Sequence, residues 1–274
     1  MTVDFHTHIF PERIAKRTVS ALAESSGISP HSDGDEAGLL SAMRAGGVSL
    51  AVNLPVLTRA EQFDSILAFA SKINEKSYTG ERIISFAGIH PDIPDPERAI
   101  ERIKECGFLG IKIHPDYQNT FIDDDRYYRL LSLAKKHDLI TVTHAGLDGA
   151  YIGQPIKCTP DRVMRLLDRL GGYSKLVLAH LGGNEMFSEV YDTLAGEDVY
   201  FDTAYILHVA TREELLKIIE RHGAKRILFA TDSPWRSIKE EVELIRALPL
   251  SDEDRNDILS SNALRLLYGD CYVK

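Results

Sequence analysis

Short apolar runs alternate with amphipathic stretches along almost the whole chain, and most runs end on polar residues. Eight of them read as strands, at 3–8, 49–55, 83–91, 108–115, 139–146, 175–183, 199–205 and 226–234. Most are continuous in Val, Ile and Leu, the pattern of parallel strands buried on both faces. The stretches between them carry helical stripes. Phe63, Ile66, Leu67, Ala70 and Ile73 share one face, and Val163, Leu166, Leu167 and Leu170 another. Thr58 to Glu61 and Thr211 to Glu214 read as capping boxes, and Asp95-Pro96 and Thr159-Pro160 as helix starts. Asp123 or Asp124 opens a helix reaching about His137, while Gly107 and Gly223 close theirs.

A doubly wound sheet and an eightfold barrel both satisfy this alternation. No GxGxxG turn follows the first strand, and the strand count favours the barrel. The expected fold is therefore α/β, a distorted (β/α)8 TIM barrel in one domain over 1–274. Residues 10–48 form the longest connection, predicted as a helix at 11–24, a polar loop from Ser25 to Asp35 and a helix at 36–46. This helical insertion reads as a cover over the barrel mouth. Two C-terminal helices are expected, at 237–247 and 251–268.

Composition narrows the class without naming a chemistry. A hydrophobic share of 44%, a charged share of 27% and a net charge of −9 describe a soluble globular chain. The negative balance and the lack of a Lys/Arg-rich run argue against a nucleic-acid partner. No apolar stretch approaches membrane-spanning length, and MTVDFHTHIFPE lacks the blocks of a signal peptide. Cys106, Cys158 and Cys271 form no CxxC pair and no even disulfide set, so a cytoplasmic location is expected. Cys158 reads as a buried small side chain.

The polar strand ends carry the chemistry. They are His6 and His8, Lys112 and His114, His144, His180, and Asp232. Residues two apart in a strand share a face, which pairs His6 with His8 and leaves Phe5 and Thr7 on the other. Taken alone, an HxH pair, a core histidine or a helix-capping Asp is unremarkable. Four histidines and a carboxylate recurring at strand ends instead suit a shared divalent cation. His90, before Pro91, reads equally as a pocket residue or a turn histidine. Asp202 and Tyr205 are placed as hydrogen-bonding support. His31, His137 and His222 are expected at the surface, and His208 is left open.

These motifs resemble those of the amidohydrolase superfamily, in particular its amidohydrolase 2 branch of metal-dependent TIM-barrel hydrolases. DFHTHIFP is similar to the family's first-strand motif, GIKIHP to its fourth, THAG to its fifth, AHLGG to its sixth and TDSPW to its eighth. SNALRLL is similar to its C-terminal helix, so the resemblance spans nearly the whole chain. It implies that His6, His8, His144 and Asp232 are metal ligands, and that His180 is a second-metal ligand or an acid/base group. It implies further that Lys112, with His114 beside it, is a carbamylated ligand, an anchor for an anionic substrate, or a partner of a buried carboxylate. One ion is expected ahead of two, zinc ahead of manganese or iron.

The main expected function is hydrolysis of an amide, ester or lactone by metal-activated water, with Asp232 and His180 catalytic. The alternative is a metal-dependent decarboxylase of an unsaturated or aromatic acid, with a non-catalytic metal-binding barrel behind both. Lys112, His114, His90, Tyr151, Trp235 and Arg236 are the candidate substrate contacts, with Lys157 nearby, and suggest a small acidic molecule. A homo-oligomer is compatible with the family, though no segment marks an interface.

Overall fold

The computed structural model describes residues 1–270, and Cys271 lies outside them. Its strands are β1 (Val3–Thr7), β2 (Leu50–Asn53), β3 in two pieces (Arg82–Ser85 and Ala87–Gly88), β4 (Gly110–Ile113), β5 (Ile140–Thr143), β6 (Leu176–Leu178), β7 (Tyr200–Asp202) and β8 (Ile227–Leu228). All neighbouring pairs are parallel and follow chain order. A break at Phe86 splits them into a three-stranded and a six-stranded ladder. The outer edges are tied to each other. Phe5 N–H donates to Phe229 O at 2.9 Å, Asp232 N–H to His6 O at 2.9 Å and His8 N–H to Ser233 O at 2.6 Å. The architecture is the α/β barrel expected from the alternation.

Alternate strand residues serve two cores. Ile111, Ile113, Leu176, Leu178 and Phe201 face the helices, where they meet Leu130, Leu131, Val163 and Leu166. Leu50, Val52, Ile84, Val142, Val177 and Leu228 face one another and Leu266 and Leu267 of the C-terminal helix Asn262–Tyr268. Burying each such Leu, Ile or Val contributes roughly 1.5–3 kcal/mol, which holds the strand ends at fixed positions.

The strands are shorter than the apolar runs. His6 stays within β1, whereas the run ends that carry His8, His90, His114, His144 and His180 leave the ladder and turn into loops. Helix starts follow the local chemistry: Asp95 caps Pro96–Glu105, Thr159 caps Pro160–Leu170, and Thr211 and Glu214 close a capping box. At residue 58 the expected box is corrected. Gln62, not Glu61, turns back, its Oε1 accepting from Thr58 N–H at 2.8 Å and Arg59 N–H at 3.1 Å. The expected helix at 251–268 is Asp252–Asn256 and Asn262–Tyr268 joined by a wider turn at Asp257–Ser261. A helical stretch over 187–194 follows the sixth strand and was not expected from the sequence.

His222 is also corrected: it is buried. Its ring stacks on Phe201 at 3.8 Å and 8°, its Nδ1 accepts from Gly196 N–H, and its Nε2 donates to Val199 O. Burial lowers its pKa to about 4, so it packs as a neutral ring. His31 is exposed, as expected, and His137 is half-buried. Cys106 is exposed and Cys158 buried, both as free thiols. Among the described residues, no helix is long and apolar enough to cross a membrane.

Candidate metal centre and its cavity

The register of β1 against β2 explains how both histidines reach the barrel interior. Asp4 pairs with Ala51 and Thr7 with Asn53, so three steps along β1 oppose two along β2. The extra residue is a β-bulge, which re-aims the side chains that follow it. Phe5 consequently joins the inner core while His6 and His8 also point inward. Asp4, fully buried, holds the bulge: its Oδ1 accepts from His6 N–H at 3.2 Å and Thr231 N–H at 3.1 Å, and its Oδ2 from the Thr231 hydroxyl at 2.6 Å. One carboxylate therefore braces the backbone beside both His6 and Asp232. Its burial pushes its pKa up to about 7.

Hydrogen bonds set the tautomers of the HxH pair. His6 Nδ1–H donates to Asp202 Oδ2 at 2.8 Å, and His8 Nδ1–H donates to Leu54 O at 2.9 Å. Both Nε2 atoms are left with lone pairs. They lie 3.2 Å apart, and 3.7 and 3.1 Å from Asp232 Oδ1. Three electron pairs converging on one point repel unless a cation lies among them. Two imidazoles and a carboxylate suit a divalent ion such as zinc or manganese, so the residues fit the group that the motifs imply. Burial, then the Lys112 charge, holds the His6 pKa well below the usual histidine range, in the neutral form that ligates.

A second set of side chains adjoins the first. Lys112 Nζ lies 3.2 Å from His6 Nε2, and burial lowers its pKa to about 8. His180 donates through Nδ1 to Ala204 O, so its Nε2 accepts from His144 Nδ1 at 2.9 Å. His144 Nε2 and Asp116 Oδ2 have no hydrogen-bond partner and face each other at 4.0 Å. Asp116, raised to about 6 by burial, sits in the turn after β4. The four expected ligands thus divide. His6, His8 and Asp232 present donor atoms within 4.8 Å of one another, while His144 does so with His114 and Asp148. The His114 and His144 rings are stacked at 4.3 Å and 13°, so their in-plane lone pairs diverge. That geometry favours the 3.4 Å pairing of His114 Nε2 with Asp148 over a chelate.

Strain gathers at the same place. His180, Leu181, Tyr205 and Asp232 have φ of +58°, +56°, +69° and +64°. Each such residue costs roughly 1–3 kcal/mol, and such residues cluster at functional sites. Gly146 of the HAG turn meets two demands at once. Its φ is +83°, and a Cβ there would fall 2.1 Å from Asn184 N.

These groups form one end of a cavity of about 510 Å³. His6, His8, Lys112, His114, His144, His180, Asp232 and Trp235 line it, together with Tyr117, Asp148 and Tyr205. His90, Tyr151, Lys157 and Arg236 are not among its lining residues. His90 Nδ1 accepts from Asp92 N–H, Tyr151 packs edge-on against Tyr117, and the Arg236 guanidinium lies 4.1 Å over the Tyr205 ring. His208 Nε2 lies 2.9 Å from the buried Glu241 carboxylate. Asp4, Asp116, Asp148 and Tyr117 were not singled out in the sequence. The DYQ turn after HP was the available signal for two of them, whereas Asp4 looks like any residue of an apolar strand.

A family model described as amidohydrolase matches residues 3–268. No curated protein matches in sequence. Solved structures do match in fold. A 2,6-dihydroxybenzoate decarboxylase from Rhizobium is 20% identical, with 97% of this chain and 98% of that one covered and a TM-score of 0.66. A dihydroxybenzoic acid decarboxylase from a Polaromonas species, with bound manganese and the inhibitor 2-nitroresorcinol, is 18% identical over 97% of this chain and 96% of that one, at 0.73. A candidate 2-pyrone-4,6-dicarboxylic acid hydrolase from Pseudomonas putida is 18% identical over 98% of each chain, at 0.66.

Proposed function

This chain belongs to the amidohydrolase family, and from that premise we propose that it is a metal-dependent decarboxylase of an unsaturated carboxylic acid. The observation that carries the proposal is a largely apolar cavity whose inner end gathers the donor atoms of His6, His8 and Asp232 beside the buried Lys112. A carboxylate moved into such surroundings loses its water, and its charge disperses as the carbon–carbon bond breaks. The manganese-containing decarboxylase of the same fold supports the reading, as do the other decarboxylases of that fold.

His6, His8 and Asp232 would hold the ion, with His144 or His180 completing its shell. A bound divalent ion supplies Lewis-acid polarisation of an oxygen beside the reacting carbon. Zinc and manganese both suit these donors. Lys112 would pair with the substrate carboxylate and fix the bond to be cleaved. Trp235 and Tyr117 would flank the unsaturated plane. The carbon–carbon electron pair stays with the substrate, carbon dioxide leaves, and one proton is delivered to the vacated carbon. His180 would take up and release that proton at Nε2, the nitrogen that accepts from His144 Nδ1 while Nδ1–H stays committed to Ala204 O.

Hydrolysis of an ester, amide or lactone is the second reading. The Asp232 carboxylate, 3.1 Å from His8 Nε2 and bordering the cavity, favours it as a group able to accept a proton from water. The manganese-loaded protein, incubated with hydroxybenzoates and with lactones or aryl esters, separates the two. Carbon dioxide release from an acid supports decarboxylation. Turnover of the esters or lactones alone would replace it with hydrolysis.

A further inference from the structure

The cavity does not end at the histidines. It runs from the histidines to the inner face of the helix Glu12–Ser26, where Ile14, Thr18, Leu22 and Ser26 follow at four-residue intervals and form one stripe. Ala15 and Val19 of the same helix are buried in the protein body. Ile14 and Leu22 therefore stay half-buried, turned toward the cavity. Across it, Ile66 and Phe69 of the helix Phe63–Asn74 and Ile28 of the connecting loop line the same space. Among the lining residues only Lys112 and Arg13 bear positive charge, and Arg13 is exposed. Lys157 and Arg236, the other basic residues near the strand ends, are turned onto Tyr151 and Tyr205.

We propose that this arm is a substrate subsite for an apolar alkyl or aryl substituent, carried by a molecule whose polar head reaches His6, His8 and Asp232. The assignment rests on the reading above for the head of the molecule, and on the arm's own residues for its tail. Ile14, Leu22, Ile28, Ile66 and Phe69, with Thr18, Ser26, Gln62 and Ser65 between them, offer a mainly apolar wall without a charged group, which selects by burial of apolar surface. A cavity of about 510 Å³ is within the range that encloses most of a small-molecule ligand. Continuity of the arm with the triad makes the two ends parts of one ligand site.

The test uses the full-length protein loaded with Mn²⁺ and two calorimetric binding series, 4-alkylbenzoates and 4-alkylbenzamides from methyl to hexyl. Affinity is expected to rise about fourfold per added methylene, the equivalent of burying each CH₂. Thr18→Phe, which fills the stripe, should remove the gain for the longer chains, and Leu22→Gln should halve the slope if the first variant does not fold. Affinity independent of chain length in the unaltered protein would overturn the assignment. A rising slope in both series with no carbon dioxide released would support the arm and count against decarboxylation alone.

Discussion

Asp202 is a buried carboxylate with every oxygen committed, which makes Asp202→Asn a sharp probe of the candidate metal centre. Its Oδ1 accepts from His180 N–H at 2.9 Å and Ala204 N–H at 3.1 Å, and its Oδ2 accepts from His6 Nδ1–H at 2.8 Å. In the variant the amide oxygen keeps the two backbone bonds, and the amide NH₂ then meets His6 Nδ1. Two donors cannot share that contact. His6 must shift its proton to Nε2, which closes the lone pair aimed at the cation position. Loss of such a supporting carboxylate typically costs 10- to 100-fold in metal affinity, or about 1.4–2.8 kcal/mol. Folding should not suffer, because burial already raises the Asp202 pKa and a neutral amide avoids that penalty. Competition of Mn²⁺ against a fluorescent chelator measures the affinity, and urea unfolding of the metal-free protein measures the fold. Equal affinity for the two proteins, within twofold, would refute the tautomer argument. A collapsed urea midpoint would show Asp202 to be structural instead.

Other consequences follow from single contacts. Asp232→Asn keeps the shape and removes the charge, so turnover of any substrate should fall at least ~100-fold with unchanged far-ultraviolet circular dichroism. Wild-type turnover in that variant would remove Asp232 from the chemistry. Gly146→Ala adds a methyl group 2.1 Å from Asn184 N at a left-handed φ, and should lower stability by roughly 2–4 kcal/mol in denaturant titration. Glu241 is buried, and its pKa is raised from 4.5 to about 8. The folded protein therefore holds a proton that the unfolded chain releases above pH 4.5. Stability from this group is present below about pH 4.5 and declines as pH rises toward 8, at up to about 1.4 kcal/mol per unit. Glu241→Gln should flatten that decline, and an identical pH profile would contradict the assignment.

Much of the barrel was legible because its signals are local. Continuous Val/Ile/Leu runs, Asp-Pro and Thr-Pro helix starts, and polar residues at run ends each report their own neighbourhood. The convergence of His6, His8 and Asp232 could be anticipated from position in the repeat. The bulge could not, since one extra residue in β1 shows only against β2. Asp4 and Asp202 were hidden or under-read for the same reason: their partners, Thr231 and His6, lie 227 and 196 residues away. His222 looked like a surface residue at a helix end because nothing in sequence places Phe201 against its ring. Lys157 and Arg236 show the limit for specificity. Charge near a strand end says little when an aromatic face beside the cavity can hold the side chain.

Anomalous diffraction from crystals soaked in Mn²⁺, collected on either side of the manganese edge, examines the convergence itself. An anomalous peak within coordination distance of His6 Nε2, His8 Nε2 and the Asp232 carboxylate is the expected result. A protein that takes up no manganese at millimolar concentration, or a peak remote from those three side chains, would contradict it.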